Sequence, residues 1–367
     1  MTTRQLSEFG NFKCFKSCCS FRSLTTLSAL AACAAALAVT PTARAQSCVG
    51  DLNGDRIVNG PDLGILLGQW EQVGPGDLDG NGVVDGADLG IMLGAWGRCA
   101  VTVPSWATLV EAMPDPAVVT DSTLRAAIAA SGLAWRVLDT ATQMEMLLVP
   151  PGTFTMGCTT SNAFGCVSNE NPTHLVTLTQ PFYMGRYEVT QLQWVVRMAS
   201  NPSSFQGYSD SANRPVEQVS WTTIQGYLSS TGMRLPSEAE WEFACRAGTT
   251  TAFNNGSSDD PTVDTIAWYV SNAGNQTHAV GGKAANALGL HDMSGNVWEW
   301  VNDWFDGGYY SVSPSTNPLG PVSGSYRVLR GGSWRFSTDF VRSSYRSINS
   351  PGNTLNNIGF RVARDLY

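Results

Sequence analysis

Two copies of one twelve-residue pattern, 26 residues apart, constrain this chain more than any other feature. Asp51-Leu-Asn-Gly-Asp-Arg-Ile-Val-Asn-Gly-Pro-Asp62 runs on into Leu-Gly-Ile-Leu-Leu-Gly-Gln-Trp70. Asp77-Leu-Asp-Gly-Asn-Gly-Val-Val-Asp-Gly-Ala-Asp88 runs on into Leu-Gly-Ile-Met-Leu-Gly-Ala-Trp96. Oxygen-bearing side chains recur at loop positions 1, 3, 5, 9 and 12: Asp51, Asn53, Asp55, Asn59 and Asp62, then Asp77, Asp79, Asn81, Asp85 and Asp88. A hard cation that takes about six to eight oxygens must be wrapped by a tight turn with alternate residues facing inward. Position 7, Ile57 and Val83, is expected to offer a backbone carbonyl while its side chain packs between the loops. Calcium is the predicted occupant, and an Asp/Gly turn repeat without metal is the alternative. A short apolar helix follows each loop, so residues 46–100 are expected to form a small all-α module of paired calcium loops.

This tandem resembles a dockerin, the duplicated calcium-folded module that plugs into a cohesin partner. Asp at position 12 is similar to that family. Arg56 departs from it, standing where position 6 usually carries glycine. Gly60-Pro61 and Gly86-Ala87 stand where many dockerins carry a polar pair that reads the partner. The resemblance implies a cohesin-like partner.

Residues 1–45 read as a secretory leader. Lys13, Lys16 and Arg22 precede an apolar stretch from Leu24 to Val39, and Ala43-Arg44-Ala45 gives an A-x-A cleavage pattern before Gln46. That stretch is short and rich in Ala, Ser and Thr, which argues against an uncleaved anchor, and no other segment approaches a membrane span. A secreted or periplasmic location is expected. The leader holds five basic residues and one acidic, so the rest is more acidic than the −8 of the whole chain, with Lys283 its only lysine. An acidic chain without a basic cluster repels nucleic acid and anionic lipid.

Five cysteines lie beyond the leader. In an oxidising compartment, Cys48 and Cys99 bracket the repeat and could tie its ends together, and Cys158 and Cys166 could bridge a local loop. Cys245, left over on a predicted helix, is read as a buried thiol. Sequence alone leaves the pairing open.

Pro104, Pro114 and Pro116 mark residues 101–133 as a linker with one short helix, Ser122–Ser131, capped by Asp121 and stopped by Gly132. Strand-like stretches follow at Ala134–Leu138 and Met144–Val149. Charged residues are only 14% of the chain against 37 Gly and 12 Trp, which suits a loop-rich domain pinned by aromatic side chains.

The large domain, 134–367, carries a run of motifs: Pro150-Pro-Gly-Thr-Phe-Thr-Met-Gly157, Phe182-Tyr-Met-Gly-Arg-Tyr-Glu-Val-Thr-Gln191, Arg234-Leu-Pro-Ser-Glu-Ala-Glu-Trp-Glu242, Gly289-Leu-His-Asp-Met-Ser-Gly-Asn-Val-Trp-Glu-Trp300, Arg330-Gly-Gly-Ser-Trp334 and Gly359-Phe-Arg-Val-Ala-Arg364. In that order they resemble the formylglycine-generating enzyme, or sulfatase-modifying factor, family. The resemblance implies an irregular α+β fold of the C-type-lectin type with little regular secondary structure. It also implies a structural calcium held by side-chain oxygens of Asp292 and Glu299 and carbonyls of Gly295 and Val297. Asn272 is a minor candidate for a second site of that family.

One expected feature is missing. The oxidases of this family bind copper(I) through one cysteine three residues after the Ser of Gly-Gly-Ser and another five further on. Here those positions hold Phe336 and Val341, and no cysteine follows Cys245. Copper is therefore not expected, since a soft ion needs thiolates. Trp334, Arg335, Phe336, Arg342, Tyr345 and Arg346 are the candidate lining of a cleft for a peptide or carbohydrate ligand, with ordinary packing as the equal alternative. Glu238 and Glu242 are read as a scaffold helix held by contacts with Arg234, an acid–base pair being the other reading. His174, His278 and His291 lie far apart, and His174 is read as structural. The chain is thus expected to be a secreted, non-oxidase binding or scaffold member. A divergent formylglycine generator and a component of a polysaccharide-degrading assembly are the alternatives.

Overall fold

The twelfth residue of each loop does two things at once, and the repeat is built from that. In the computed structural model, which describes residues 48–159 and 163–367, α1 spans Gly60–Leu67 and α2 spans Gly86–Gly94. The expected leader lies outside the described residues. Asp62 and Asp88 sit in the first turns of these helices and accept hydrogen bonds from the amides of Asn59 and Asp85, the residues that cap them. The same carboxylates turn back into their own loops, so each loop and its helix are one unit.

The two units complete each other. Strand β1, Ile57–Val58, pairs antiparallel with β2, Gly97–Arg98, which follows the second helix. Val84, the equivalent of Val58, exchanges backbone hydrogen bonds with Glu71 and Gln72, which follow the first helix. Between them lies a core of Val58, Leu66, Val84 and Met92, all fully buried. Packing between the loops therefore falls to position 8. The expected packing of the position 7 side chain between the loops fails: Ile57 is only half-buried and Val83 is 42% exposed. The ribbon also means that the module is not purely helical. A Cys48–Cys99 disulfide closes it.

After Cys99 the chain does not become a free linker. Thr102 bonds to Gly132 and Ala134, and Ala107–Glu111 forms β3. Helix α3, Ser122–Ser131, is capped by Asp121, which accepts from the amides of Thr123 and Leu124, and it ends at Gly132 in the left-handed region (φ 71°). Then come β4 (Arg136–Asp139), β5 (Glu145–Val149), β6 (Gly152–Met156), β7 (His174–Leu178) and β8 (Phe182–Gly185). Helices α4 (Gln191–Met198), α5 (Trp221–Thr231) and α6 (Glu238–Arg246) follow. Strands β9 (Trp298–Trp304), β10 (Arg327–Arg330), β11 (Ser347–Asn349), β12 (Ile358–Phe360) and β13 (Ala363–Arg364) complete the chain.

One sheet runs β13-β8-β5-β4-β3 with every pair antiparallel. The other runs β11-β10-β9-β12, with β12 parallel to β9, and β6 and β7 form a separate pair. Edge strand β3 makes part of 101–133 integral to the large domain, against the linker expectation. Its side chains are mostly exposed, as an edge permits, so it carries little of the apolar alternation that marks a strand in sequence. The core packs around Trp135, Trp194, Trp241, Trp300, Tyr183, Tyr227 and Phe360. From Ala247 to Val297 the backbone holds one 3-10 turn, Asp260–Thr265, and no strand, so side chains must hold that stretch in place. Among the described residues no helix is long and apolar enough to cross a membrane.

Candidate functional site

Three carboxylates converge in each repeat loop. Asp51, Asp55 and Asp62 bring oxygens within 4.8 Å of one another, and so do Asp77, Asp79 and Asp88. The backbone is wound around the first of each set. Asp51 accepts from the amides of Gly54 (2.8 Å), Asp55 (3.1 Å) and Arg56 (2.9 Å), and Asp77 from those of Gly80, Asn81 and Gly82. Asp62 and Asp88 are fully buried. At position 9, Asn59 Oδ1 is buried without a hydrogen-bond partner, whereas Asp85 accepts from Ala87. Like charges packed this closely repel unless a cation neutralises them, and an all-oxygen donor set fits calcium. These residues would hold the ion and lock each loop to its helix.

The loop of Asp292, Gly295, Val297 and Glu299 is assembled differently from expectation. Glu299 is turned to the guanidinium of Arg361. Its oxygens are held by Arg361 (Nη2–Oε1 2.8 Å) and by Trp241 Nε1 (2.7 Å). The four expected ligands are thus not all free to coordinate, because an arginine 62 residues away in sequence takes the glutamate. Asp292 accepts from Gly281 N through Oδ2, while Oδ1 is buried and unpaired. Burial pushes this carboxyl up to about 6. Gly295 is obligatory at φ 83°, since a Cβ there would lie 2.2 Å from the carbonyl oxygen of Trp268. Val297 is fully buried, and its amide donates to Glu188 Oε1 at 3.0 Å.

Sequence reasoning missed Glu188. Fully buried, it accepts from Asn296 Nδ2 (2.6 Å) as well as from Val297, and burial together with repulsion from Asp292 and Glu299 raises its carboxyl well above the usual range. The available signal was an acid between Tyr187 and Val189 in a run that is otherwise core-forming. Glu217 was missed too. It is buried, accepts from Phe205 N through Oε1, has no partner at Oε2, and is pushed up to about 7 by burial. Asn272 knits a turn, bonding Asp264, Ala267 and Tyr269.

At the Gly-Gly-Ser segment, Gly331 and Gly332 adopt φ 90° and 77°, and a Cβ on Gly332 would meet Val341 Cγ1 at 2.5 Å. Phe336 packs in an aromatic cluster, its ring centroid 5.5 Å from Trp298 and 5.0 Å from Phe340, with Tyr345 4.8 Å from Phe340. Val341 is fully buried with Phe253, Ile266 and Tyr269. Carbon fills both positions that thiolates would need.

The expected cleft is not formed by the six residues assigned to it. Arg342 is buried and pairs with Glu170 (2.8 Å), and Arg346 is buried and pairs with Glu238 (2.6 Å). Trp334 is buried, its indole donating to Asn356 O and its ring 5.5 Å from Phe205. Only Arg335, exposed, with the half-buried Phe336 and Tyr345, can meet a ligand. Local sequence places guanidinium and aromatic groups together correctly. What it cannot reveal are the distant acids that take the arginines.

Helix α6 supplies the second of those acids, Glu238, and with it Glu242. Glu242 pairs with Arg246 (2.8 Å) and Arg330 and accepts from Gly157 N; Glu238 pairs with Arg346 and accepts from Tyr310. Both carboxylates are buried and held in ion pairs. Arg234 pairs instead with Glu240 and Asp365. His174, His278 and His291 each pack on a different aromatic ring, of Tyr310, Trp268 and Tyr187. Cys158–Cys166 is a disulfide, and Cys245 is a buried free thiol pushed up to about 11 by burial.

A model of the sulfatase-modifying factor enzyme 1-like domain matches residues 136–366. The serine/threonine-protein kinase pkn1 of Chlamydia caviae is 32% identical over 247 residues, covering 60% of this chain and 38% of that protein. The formylglycine-generating enzyme of Streptomyces coelicolor is 38% identical over 167 residues, covering 42% of this chain and 53% of that protein. The chain thus spans about half the length of these curated relatives or less. Among solved structures, Treponema denticola variable protein 1 superposes with a TM-score of 0.55 at 30% identity, covering 60% of this chain and 95% of that one.

Proposed function

The chain belongs to the sulfatase-modifying factor family, and from that premise we propose that it is a calcium-carrying binding or scaffold protein of the cell exterior rather than a copper oxidase. The observation that carries this is the fate of two positions. Phe336 completes an aromatic cluster and Val341 a closed apolar one, so no thiolate pair is available where the resemblance requires it. Two further features support the reading. The repeat loops gather oxygens in a calcium-like set, and the arginines and glutamates near the Gly-Gly-Ser segment are engaged with one another rather than presented for catalysis. A cohesin-like partner for the repeat, and a peptide or carbohydrate ligand at Arg335, Phe336 and Tyr345, are the interactions this role would use.

The test is metal content and oxygen consumption of the chain from Gln46 onward, given a cysteine-containing sulfatase peptide. Two calcium ions, no copper and an unchanged peptide are expected. Stoichiometric copper with formylglycine in the peptide would overturn the reading and make this a divergent oxidase.

A further inference from the structure

Arg56 is the one residue of the first loop that does not belong to a calcium-loop pattern, and its surroundings give it a purpose. It stands at position 6, where the backbone must turn left-handed. Its φ is 68°, and Gly82 at the same place in the second loop has φ 95°. A side chain in that conformation is strained, so something must offset it. Arg56 is 7% exposed, and its Nε donates to Ala129 O at 2.7 Å in a buried hydrogen bond. Ala129 lies in the last turn of α3, where a cation is favoured by the helix dipole; its carbonyl accepts from the capping amide of Gly132 at 3.1 Å and has a second lone pair for Arg56.

The backbone of Arg56 makes two more connections. Its amide donates to Asp51 Oδ2 at 2.9 Å, which orients the first carboxylate of the loop. Its carbonyl accepts from Cys99 N at 3.0 Å, at the closing disulfide. Three residues beyond Cys99, Thr102 N bonds to Gly132 O, just past the end of α3. Loop 1, the disulfide and the end of α3 therefore meet through one residue. Beside this junction lies a cavity of about 720 Å³, walled by Asn53, Asp55 and Arg98 on one side and Glu111, Arg125 and Ala126 on the other. Across this cavity the surfaces stand apart, and the arginine bond joins them beside it.

We propose that Arg56 makes the first loop a calcium-dependent clamp that fastens the repeat module to α3 of the large domain. This rests on the calcium reading above. Calcium fixes Asp51, Asp51 fixes the Arg56 backbone, and that backbone aims the guanidinium at Ala129. By linkage, the docked arginine in turn favours the calcium-ready loop. The second loop has Gly82 in place of the arginine and lies outside this coupling.

The experiment uses the chain from Gln46 onward with Asp77→Asn and Asp88→Asn, so that calorimetric calcium titration reads loop 1 alone. Arg56→Gly and Arg56→Lys are compared in that background. Arg56→Gly restores the residue of the second loop and relieves the strained backbone, so a merely local effect predicts equal or tighter binding. The clamp predicts the opposite: calcium binding roughly tenfold weaker, with small-angle scattering showing the module released from the large domain in Arg56→Gly even with calcium, and in the parent only after chelation. Arg56→Lys, which keeps the charge and loses the Nε donor, should fall between them. Unchanged or tighter calcium binding in Arg56→Gly, with an unchanged scattering profile, would overturn the clamp and leave the calcium reading intact. No calcium binding by the chain with both loops intact would overturn both.

Discussion

Glu170 carries a burden out of proportion to its size. It is fully buried, pairs with Arg342, accepts from Ser344 and returns to the amide of Val167. Glu170→Gln would leave the Arg342 guanidinium buried without a counter-charge, which costs about 3–5 kcal/mol. Urea unfolding should show that loss, while Arg335→Ala, at an exposed position, should stay within about 0.5 kcal/mol of the parent. A second expectation concerns acidity. Asp292 is raised from 3.8 to about 6 and Glu217 from 4.5 to about 7, both by burial. In this window the folded state binds more protons than the unfolded one, so each carboxyl favours folding fully below its unfolded value. That contribution is lost as pH rises through the folded value. Stability measured in chelator should therefore fall from about pH 4 to pH 7 on account of these two groups. Glu217→Gln should flatten the upper part of that slope, and an unchanged profile would count against the assignment. At this scale the sequence was a partial guide. Asp292 and Gly295 stood out through their motif, but Glu188 and Glu217 did not, because nothing local marks an acid as buried when its partners come from remote strands and loops.

Among the elements, caps and turns were the legible part. Asp121 and Gly132 bound α3 where the sequence puts them, since a side-chain acceptor and a left-handed residue are local requirements. Strand β3 was not legible, as its partner β4 lies across a helix in sequence and its apolar residues Leu109 and Val110 are adjacent and exposed rather than alternating with polar ones. Hydrogen exchange separates the two views: the β3 amides that face β4 should be protected, whereas a linker would exchange freely. The Cys48–Cys99 bridge spans 51 residues, and replacing both cysteines by serine should cost the module about 4 kcal/mol on chain-entropy grounds. Excess calcium should recover part of that loss, because an ion that binds only the folded loops adds its own stabilisation. Thermal melts with and without chelator would show both effects, and a melt indifferent to calcium would refute the second.

For the molecule as a whole, the family was legible because its glycines and tryptophans sit where backbone geometry and packing leave little choice: Gly295 against Trp268, Gly332 against Val341, Trp241 on Glu299. The ligand cleft was not, because the same aromatic and cationic residues serve packing as readily as binding, and only the ion pairs of Arg342 and Arg346 decide between the two. The crossed pairing inside the repeat has a further consequence. Each 26-residue unit leaves its valine edge to be covered by the tail of the other, Val58 by Gly97 and Val84 by Gln72. A peptide carrying one unit alone would have half a core and an open edge, and could complete itself only by meeting a second copy. Its folding would be second order, sharpening as the peptide is concentrated and fading on dilution, whereas the tandem folds at any dilution because its partner is already attached.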